Sequence, residues 1–116
     1  MKKVKGFQIW DKYSTAIIQL IEDDFIVGSV RINIFNNERK ISIEGLHVDF
    51  NHRKKGIGKQ LFLEALTYVF STYNDFELYL LVRKDNFIKK MYEEYGFIFY
   101  HIDEDDNYIW MKYEKI

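Results

Sequence analysis

The chain of 116 residues contains no cysteine and no proline. The absence of cysteine excludes disulfide bonds, a thiolate nucleophile and a zinc site built on cysteine. Without proline, the turns must be formed by glycine, asparagine and aspartate. Hydrophobic residues make up 47% of the chain, which is enough for a packed core. We therefore expect one globular domain over residues 1–116, and no bound metal.

Long apolar runs and a strong net charge are also missing. The net charge of −1 argues against a dedicated nucleic-acid-binding protein, which is usually basic. No run approaches the length of a transmembrane span, and Gln8, Asp11 and Lys12 interrupt the segment after the basic start. The sequence thus predicts a cytoplasmic protein with neither a nucleic acid nor a membrane as partner.

The spacing of apolar residues predicts an α/β domain, with a mixed central sheet and few helices. A helical period over residues 56–72 lies between two strand-like segments, which therefore run parallel in a βαβ unit. Gly45 in the middle of a strand predicts a bulge or a close approach by another backbone. The run Asp103–Asn107 resembles a calcium-binding loop, but the alternation that follows favours a hairpin turn. Strands are predicted over 4–10, 15–22, 25–35, 40–49, 76–82, 97–101 and 108–113, and a second helix from a cap at Asp85 or Asn86 to Gly96.

A short basic turn separates one strand from the long helix. Leu46 and Val48 have the spacing of two that is typical of a strand, and helical spacing begins at Gly56. A helix N-terminus offers unpaired N–H groups to an anion, and glycine lets that backbone come close. The segment therefore predicts a phosphate-binding turn formed by Arg53, Lys54, Lys55, Gly56, Ile57, Gly58 and Lys59.

Further motifs follow the turn pattern Arg53-x-x-Gly56-x-Gly58. They are Leu80-x-Val82, Asn86, Tyr92-x-x-x-Gly96-Phe97 and the run 106–112. Together, over about residues 41–113, they resemble the GNAT superfamily of acetyl-CoA-dependent N-acetyltransferases. The resemblance implies the GNAT fold, with acetyl-CoA as co-substrate.

The resemblance also implies where the co-substrate lies. Two parallel strands should splay apart, and the pantetheine arm should pair with the backbone of Leu46, His47 and Val48. The pyrophosphate should lie on the N–H groups of the turn from Arg53 to Lys59. Asn86 should contact coenzyme A.

Catalytic roles fall on two side chains. The resemblance assigns Tyr92 as the acid that protonates the leaving thiolate. The departing thiolate has a pKa of about 8.5, so a nearby phenol can protonate it. Freeing a lysine amine of its proton at pH 7 costs roughly 4–5 kcal/mol, so a base is useful. Strict alternation places Glu44 on the face of Leu46 and Val48, and His47 on the opposite face. We therefore predict Glu44 as the base, and a backbone N–H near Val48 as donor to the acetyl oxygen.

Two departures from the family pattern limit these assignments. Asn86 precedes Tyr92 by six positions, where the family has seven, so Asp85 is the alternative for the asparagine position. The family's helical pair after the first strand has no room in residues 11–24. The acceptor side is then open, or is completed by a second chain in a homodimer.

The predicted function is transfer of an acetyl group to an unidentified primary amine. The alternative is a catalytically weak acetyl-CoA-binding or protein-interaction module on the same fold. A module for anionic partners is a further alternative, which the net charge disfavours.

Overall fold

The structure, a computed structural model, describes residues 1–86 and 88–114. It forms a seven-stranded mixed sheet with two α-helices. The strands are β1 (Lys2–Ile9), β2 (Ser14–Glu22), β3 (Phe25–Phe35), β4 (Lys40–Val48), β5 (Glu77–Arg83), β6 (Phe97–Ile102) and β7 (Tyr108–Tyr113). The helices are α1 (Ile57–Thr72) and α2 (Lys89–Glu94), and a 3-10 turn spans Phe50–His52.

The spatial order of the strands is β1-β2-β3-β4-β5-β7-β6. Every neighbouring pair is antiparallel except β4 and β5, which run parallel because α1 connects them. The ring of Phe62 on α1 lies 4.8 Å from that of Tyr92 on α2, so both helices pack on one side of the sheet. We call this side the helix face. The opposite side, the open face, carries Asn33, Ser42 and Tyr79 on adjacent strands.

The core lies between the sheet and α1, and its helix side consists of apolar residues that give residues 56–72 their helical period. Ile57, Leu61, Phe62, Ala65, Leu66 and Val69 of α1 are all buried. They pack against the buried β-branched and leucine side chains of the central strands, which include Ile32, Ile34, Ile41, Ile43, Leu78 and Leu80. The predicted mixed α/β sheet, with each predicted strand and both helices, is confirmed.

A tight turn joins β1 directly to β2. Ile9 pairs with Ser14, and Trp10 N–H donates to the carbonyl of Tyr13 over 2.8 Å. The prediction that residues 11–24 contain no helical pair is therefore confirmed. In the part of the chain that the structure describes, both α-helices lie on the helix face, so neither covers the open face.

The second helix begins later than the sequence suggested. Asn86 Oδ1 accepts a hydrogen bond from Ile88 N–H at 3.0 Å, and α2 begins only at Lys89. A side chain that binds the backbone two residues ahead forms a local turn in place of helix. Gly96 follows the helix with φ +97°, as expected of the residue that ends it.

The acidic segment between β6 and β7 is a hairpin turn, as predicted. Asp103 accepts from Asp105 N–H and from the indole of Trp110, and Asp105 accepts from Asn107 N–H. These bonds direct the carboxylates to the protein's own donors. Within the described ranges, neither helix combines the length and the apolar character needed to cross a membrane.

Candidate functional site

The two parallel strands separate halfway along their length. β4 and β5 pair from Lys40↔Glu77 to Ile43↔Leu80, and the pairing ends there. The remainder of β4, Glu44–Val48, continues beside β3 alone. A strand edge without a partner offers backbone donors and acceptors to any extended ligand. This fork is the splay that the sequence resemblance implied.

A bulge at Gly45 changes which side chains face the fork. Gly45 has φ +64°, and the β3–β4 register shifts at this point, so that Glu44 pairs with Arg31 and His47 with Ser29. Directly opposed residues of a sheet share a face, and Ser29 and Arg31 are two positions apart on one strand. Glu44 and His47 therefore both lie on the open face.

The predicted faces of this strand were consequently wrong. Glu44 does not share a face with Leu46 and Val48, because the extra residue at the bulge reverses the alternation. Val48 instead points to the helix face, where its Cγ2 lies 3.6 Å from the position that a Cβ on Gly58 would take. Leu46 and Val48 are both packed against the core cluster.

The backbone of Val48 points into the fork. Asp49 N–H donates to the carbonyl of Val27 on β3 at 2.8 Å. Because successive residues of a strand direct their N–H groups to opposite edges, Val48 N–H is directed away from β3. It is a free-edge backbone N–H at the position where the sequence predicted a donor for the acetyl oxygen, and that role stays a prediction.

The segment after β4 is fixed by the side chain of Asp49. Its Oδ2 accepts from Asn51 N–H at 3.2 Å and is hydrogen-bonded to His52 Nδ1 at 2.9 Å. The bond from His52, followed by that from the Asn51 backbone, lowers the pKa of the Asp49 carboxyl despite partial desolvation. Neither Asp49 nor His52 was among the predicted site residues. Their spacing of three, which suits a turn, was the available signal.

The N-terminus of α1 forms the end of the turn. Gly56 caps the helix with φ +80° and no side-chain hydrogen bond, and the first intrahelical bond runs from Gln60 N–H to the Gly56 carbonyl. The N–H groups that precede it have no acceptor within the helix. Exposed cations lie at the same end: Arg53, Lys54, Lys55 and Lys59. The predicted phosphate turn thus has donors and charge together.

Asn86 and Asp85 follow the end of β5 and have different partners. Asp85 Oδ1 accepts a hydrogen bond from Arg83 Nε at 3.2 Å. The side-chain oxygen Oδ1 of Asn86 accepts one from Ile88 N–H. The amide nitrogen of Asn86 takes no part in that bond. Contact with coenzyme A by either residue stays a prediction, and Asn86 is the one whose side chain is partly buried.

Tyr92 belongs to the core. It is 6% exposed, and its ring contacts those of Phe62 and Phe97 at centroid distances of 4.8 and 6.5 Å. Burial raises the pKa of the Tyr92 phenol to about 12, so the phenol keeps its proton at neutral pH. A protonated phenol can donate a hydrogen bond to a leaving thiolate, but full transfer of its proton is uphill, because its pKa lies above the value of about 8.5 of the thiol. Its catalytic role stays a prediction.

Glu44 ends a chain of polar side chains on the open face. Its Oε2 accepts from Ser42 Oγ at 2.6 Å and from Asn33 Nδ2 at 3.0 Å. Thr15 Oγ1 donates to Asn33 Oδ1, and Trp10 Nε1 donates to Thr15, each at 3.0 Å. Sequence reasoning missed these supporting residues. Polar side chains at alternate positions of otherwise β-branched strands were the signal that could have found them.

Comparison with known proteins points to one family. A family model described as the acetyltransferase (GNAT) family matches residues 2–97. No curated protein sequence matches the chain significantly. The family match includes β4, the phosphate turn, α1 and β5.

Solved structures share the fold. An acyl-CoA N-acyltransferase from Pseudomonas aeruginosa aligns with TM-score 0.75 and 23% identity over 86% of this chain and 68% of its own. ElaA from Escherichia coli aligns with TM-score 0.73, 24% identity and the same shares of the two chains. The PaiA N-acetyltransferase from Thermoplasma acidophilum, in complex with coenzyme A, aligns with TM-score 0.69 and 22% identity. The alignment covers 87% of this chain and 61% of the PaiA chain. At such identities the likeness concerns the fold alone.

Proposed function

The chain belongs to the GNAT family of acetyltransferases, and from this membership we propose that it is an acetyl-CoA-dependent N-acetyltransferase acting on a primary amine. The single observation that supports this most is the fork between β4 and β5, which opens beside the N-terminus of α1. One end of the fork offers strand backbone to an extended arm. The other offers N–H groups and cations to phosphate.

In this proposal acetyl-CoA lies along the fork. The backbone of Leu46, His47 and Val48 pairs with the amides of the pantetheine arm. The pyrophosphate takes N–H groups from the turn between Arg53 and Lys59, and the lysines there supply charge. Coenzyme A in the complex of the PaiA enzyme supports this choice of ligand.

The chemical step is direct attack by the amine on the thioester. The amine nitrogen forms a bond to the acetyl carbon while the carbon–sulfur bond breaks. Val48 N–H donates to the acetyl oxygen as negative charge develops on it. Glu44 takes the proton that the nitrogen loses, and Tyr92 gives its proton to the departing thiolate. The products are an acetamide and free coenzyme A.

Calorimetric titration with acetyl-CoA and with a short DNA duplex tests the proposal. We expect acetyl-CoA to bind with a Kd of about 1 μM, a free energy near −8 kcal/mol, and the duplex not to bind. Absence of binding by acetyl-CoA and coenzyme A at about 1 mM would contradict the assignment.

The direct turn between β1 and β2 favours a second candidate, a protein that binds acetyl-CoA but transfers little. The acceptor side lacks the helical pair that the family normally places there. Release of coenzyme A thiol in the presence of an amine library separates the two candidates. An enzyme releases thiol only when an accepted amine is present, whereas a binding module shows affinity without amine-dependent release.

A further inference from the structure

We propose that the open face carries the acceptor site, and that the site takes a primary ammonium on an aromatic or bulky apolar stem. The inference rests on the proposed function for its catalytic meaning, and of the walls of the site only Trp110 belongs to the sequence motifs that carry the family resemblance. Its walls are Phe35, Tyr79, Tyr100 and Trp110, and the carboxylates Glu38 and Glu44 lie at its margin.

These residues line an open pocket of about 530 Å³. This volume lies within the range of about 300–1,000 Å³ that is usual for small-molecule sites. The pocket lies across the sheet at the level where β4 and β5 separate. Its lining residues Ser42 and Tyr79 pair directly before the last β4–β5 pair, which is Ile43 with Leu80. A ligand in it therefore reaches the fork at Glu44.

Two of the walls are held in place. Tyr79 is 9% exposed, and its hydroxyl donates to Glu77 Oε2 at 2.8 Å. Trp110 donates from Nε1 to Asp103 Oδ1 at 2.8 Å. Tyr100 completes the wall at a bulge of β6, with its ring 5.3 Å from that of Tyr79. Rigid aromatic walls bind a flat or apolar group with little loss of entropy.

The aromatic rings already attract ammonium groups of the protein itself. Lys112 Nζ lies 5.7 Å from the Tyr79 ring and 5.8 Å from the Tyr100 ring, and Lys40 Nζ lies 5.9 Å from the Tyr79 ring. Distances within about 6 Å are those of a cation–π interaction. Because these lysine ammonium groups lie next to the rings, the part of a ligand that packs on the rings is its uncharged stem and not its ammonium.

Charge determines the orientation of the ligand. Lys40 lies at the end of the pocket away from the fork, whereas Glu44 lies at the fork. Both hydrogen bonds that hold Glu44 use Oε2, so Oε1 is the atom that can meet an incoming ammonium. The amine then lies toward the thioester and the stem lies between the aromatic rings. A long polyamine fits less well, because its distal ammonium would meet Lys40.

Binding of small probes in the absence of acetyl-CoA tests the site. The probes are 2-phenylethylamine, the neutral 2-phenylethanol, the aliphatic n-butylamine and spermidine, titrated by NMR. We expect 2-phenylethylamine to bind about tenfold more tightly than each of the other three. Equal binding of amine and alcohol, tighter binding of spermidine, or no binding up to about 10 mM would overturn the proposal.

Two neighbouring residues of β6 provide the matched variants. Tyr100 and Phe99 are 49% and 57% exposed, but only Tyr100 lines the pocket, because Phe99 pairs with Met111 on the helix face. Tyr100→Ala should weaken 2-phenylethylamine about tenfold and raise the KM for this amine, while Phe99→Ala stays within about twofold. An unchanged affinity in Tyr100→Ala would contradict the site.

The two proposals fail separately. If acetyl-CoA does not bind, the proposed function is wrong, although the probe titrations still show whether the pocket selects aromatic amines. If acetyl-CoA binds and some amine is acetylated, but Tyr100→Ala leaves the KM for every accepted amine unchanged, only the assignment of the pocket is wrong.

Discussion

Arg53 ties the phosphate turn to the strand that precedes it, because its Nε donates to the carbonyl of Val48 over 3.1 Å. The bond connects the first residue of the turn motif to the residue whose N–H is directed into the fork. The guanidinium also lies 5.5 Å from the ring of Phe50, within the 3-10 turn. The position of Arg53 thus follows from its planar shape as well as from its charge.

Replacing Arg53 by lysine tests this relationship. Lysine keeps the charge but has no Nε–H donor at that point of the side chain, so the turn loses its tie to Val48. We expect Arg53→Lys to weaken acetyl-CoA binding about tenfold by calorimetry. The matched control Lys54→Arg keeps the charge at the neighbouring exposed position and should change affinity by less than about twofold. Equal affinities of Arg53→Lys and the wild type would show that only charge matters.

Gly58→Glu tests whether the N-terminus of α1 holds phosphate. Gly58 is preferable to Gly56, because Gly56 has φ +80°, where any side chain adds backbone strain. A carboxylate on Gly58 repels phosphate at the helix N-terminus, and we expect acetyl-CoA affinity to fall about 100-fold. Gly6→Glu is the control, since Gly6 lies on β1 with nothing within 4 Å of an added Cβ. Similar affinities for the two variants would remove the phosphate assignment.

Glu44→Gln tests the base. The amide can keep a hydrogen bond at the Oε2 position but cannot take a proton, so we expect kcat to fall about 100-fold. Acetyl-CoA affinity should stay within about twofold, because the predicted cofactor contacts are elsewhere. Glu22→Gln, at the exposed end of β2, is the control. An unchanged kcat in Glu44→Gln would show that another group acts as the base. His47, on the same face, is the next candidate.

Tyr92→Phe tests the acid. Phenylalanine keeps the packing against Phe62 and Phe97 and removes only the proton donor. We expect thiol release to slow about 10- to 100-fold while acetyl-CoA binds as before. Tyr95→Phe, at the residue that directly follows α2 and is also in contact with Phe62, serves as the control. A normal rate in Tyr92→Phe would make the residue a core aromatic and nothing more.

The raised pKa of Tyr92 also predicts how stability depends on pH. Burial raises the pKa of Tyr92 to about 12, against about 10 in the unfolded chain. Between these values the folded state keeps a proton that the unfolded state loses, so stability falls as pH rises from about 10 to 12. The loss amounts to about 2–3 kcal/mol. In denaturant unfolding, the free energy of unfolding should fall between about pH 10 and 12 by this amount more in the wild type than in Tyr92→Phe. Identical pH profiles of the two proteins would contradict the prediction.

The order of the elements could be predicted from apolar spacing, since β3, β4 and both helices show a period of two or of 3.6, and β5 is a short apolar run between turn residues. The side-chain faces beyond Gly45 could not. Gly45 itself indicated a bulge, but a bulge reverses the faces of every later residue, and only the pairing with β3 shows at which residue this happens. Glu44 was therefore grouped with the wrong neighbours.

The candidate site was predictable to a different extent in its two halves. The phosphate turn is contiguous in sequence, and glycines, cations and the start of the helix identify it together. The surroundings of Glu44 come from three strands and the turn after β1, and they are up to 34 positions apart in the chain, Trp10 to Glu44. Strand register places them together, and no short motif encodes register.

The turn from Trp10 to Tyr13 also makes this fold a starting point for protein engineering. It is a surface connection between two strands that are already paired, and lengthening such a loop costs only about 0.6 kcal/mol for each doubling of its length. A helical segment grafted between Ile9 and Ser14 could lie over the open face without disturbing the fork. Different grafts would then give one acetyl-donor half several acceptor specificities, selected by what each graft places over Tyr79 and Trp110.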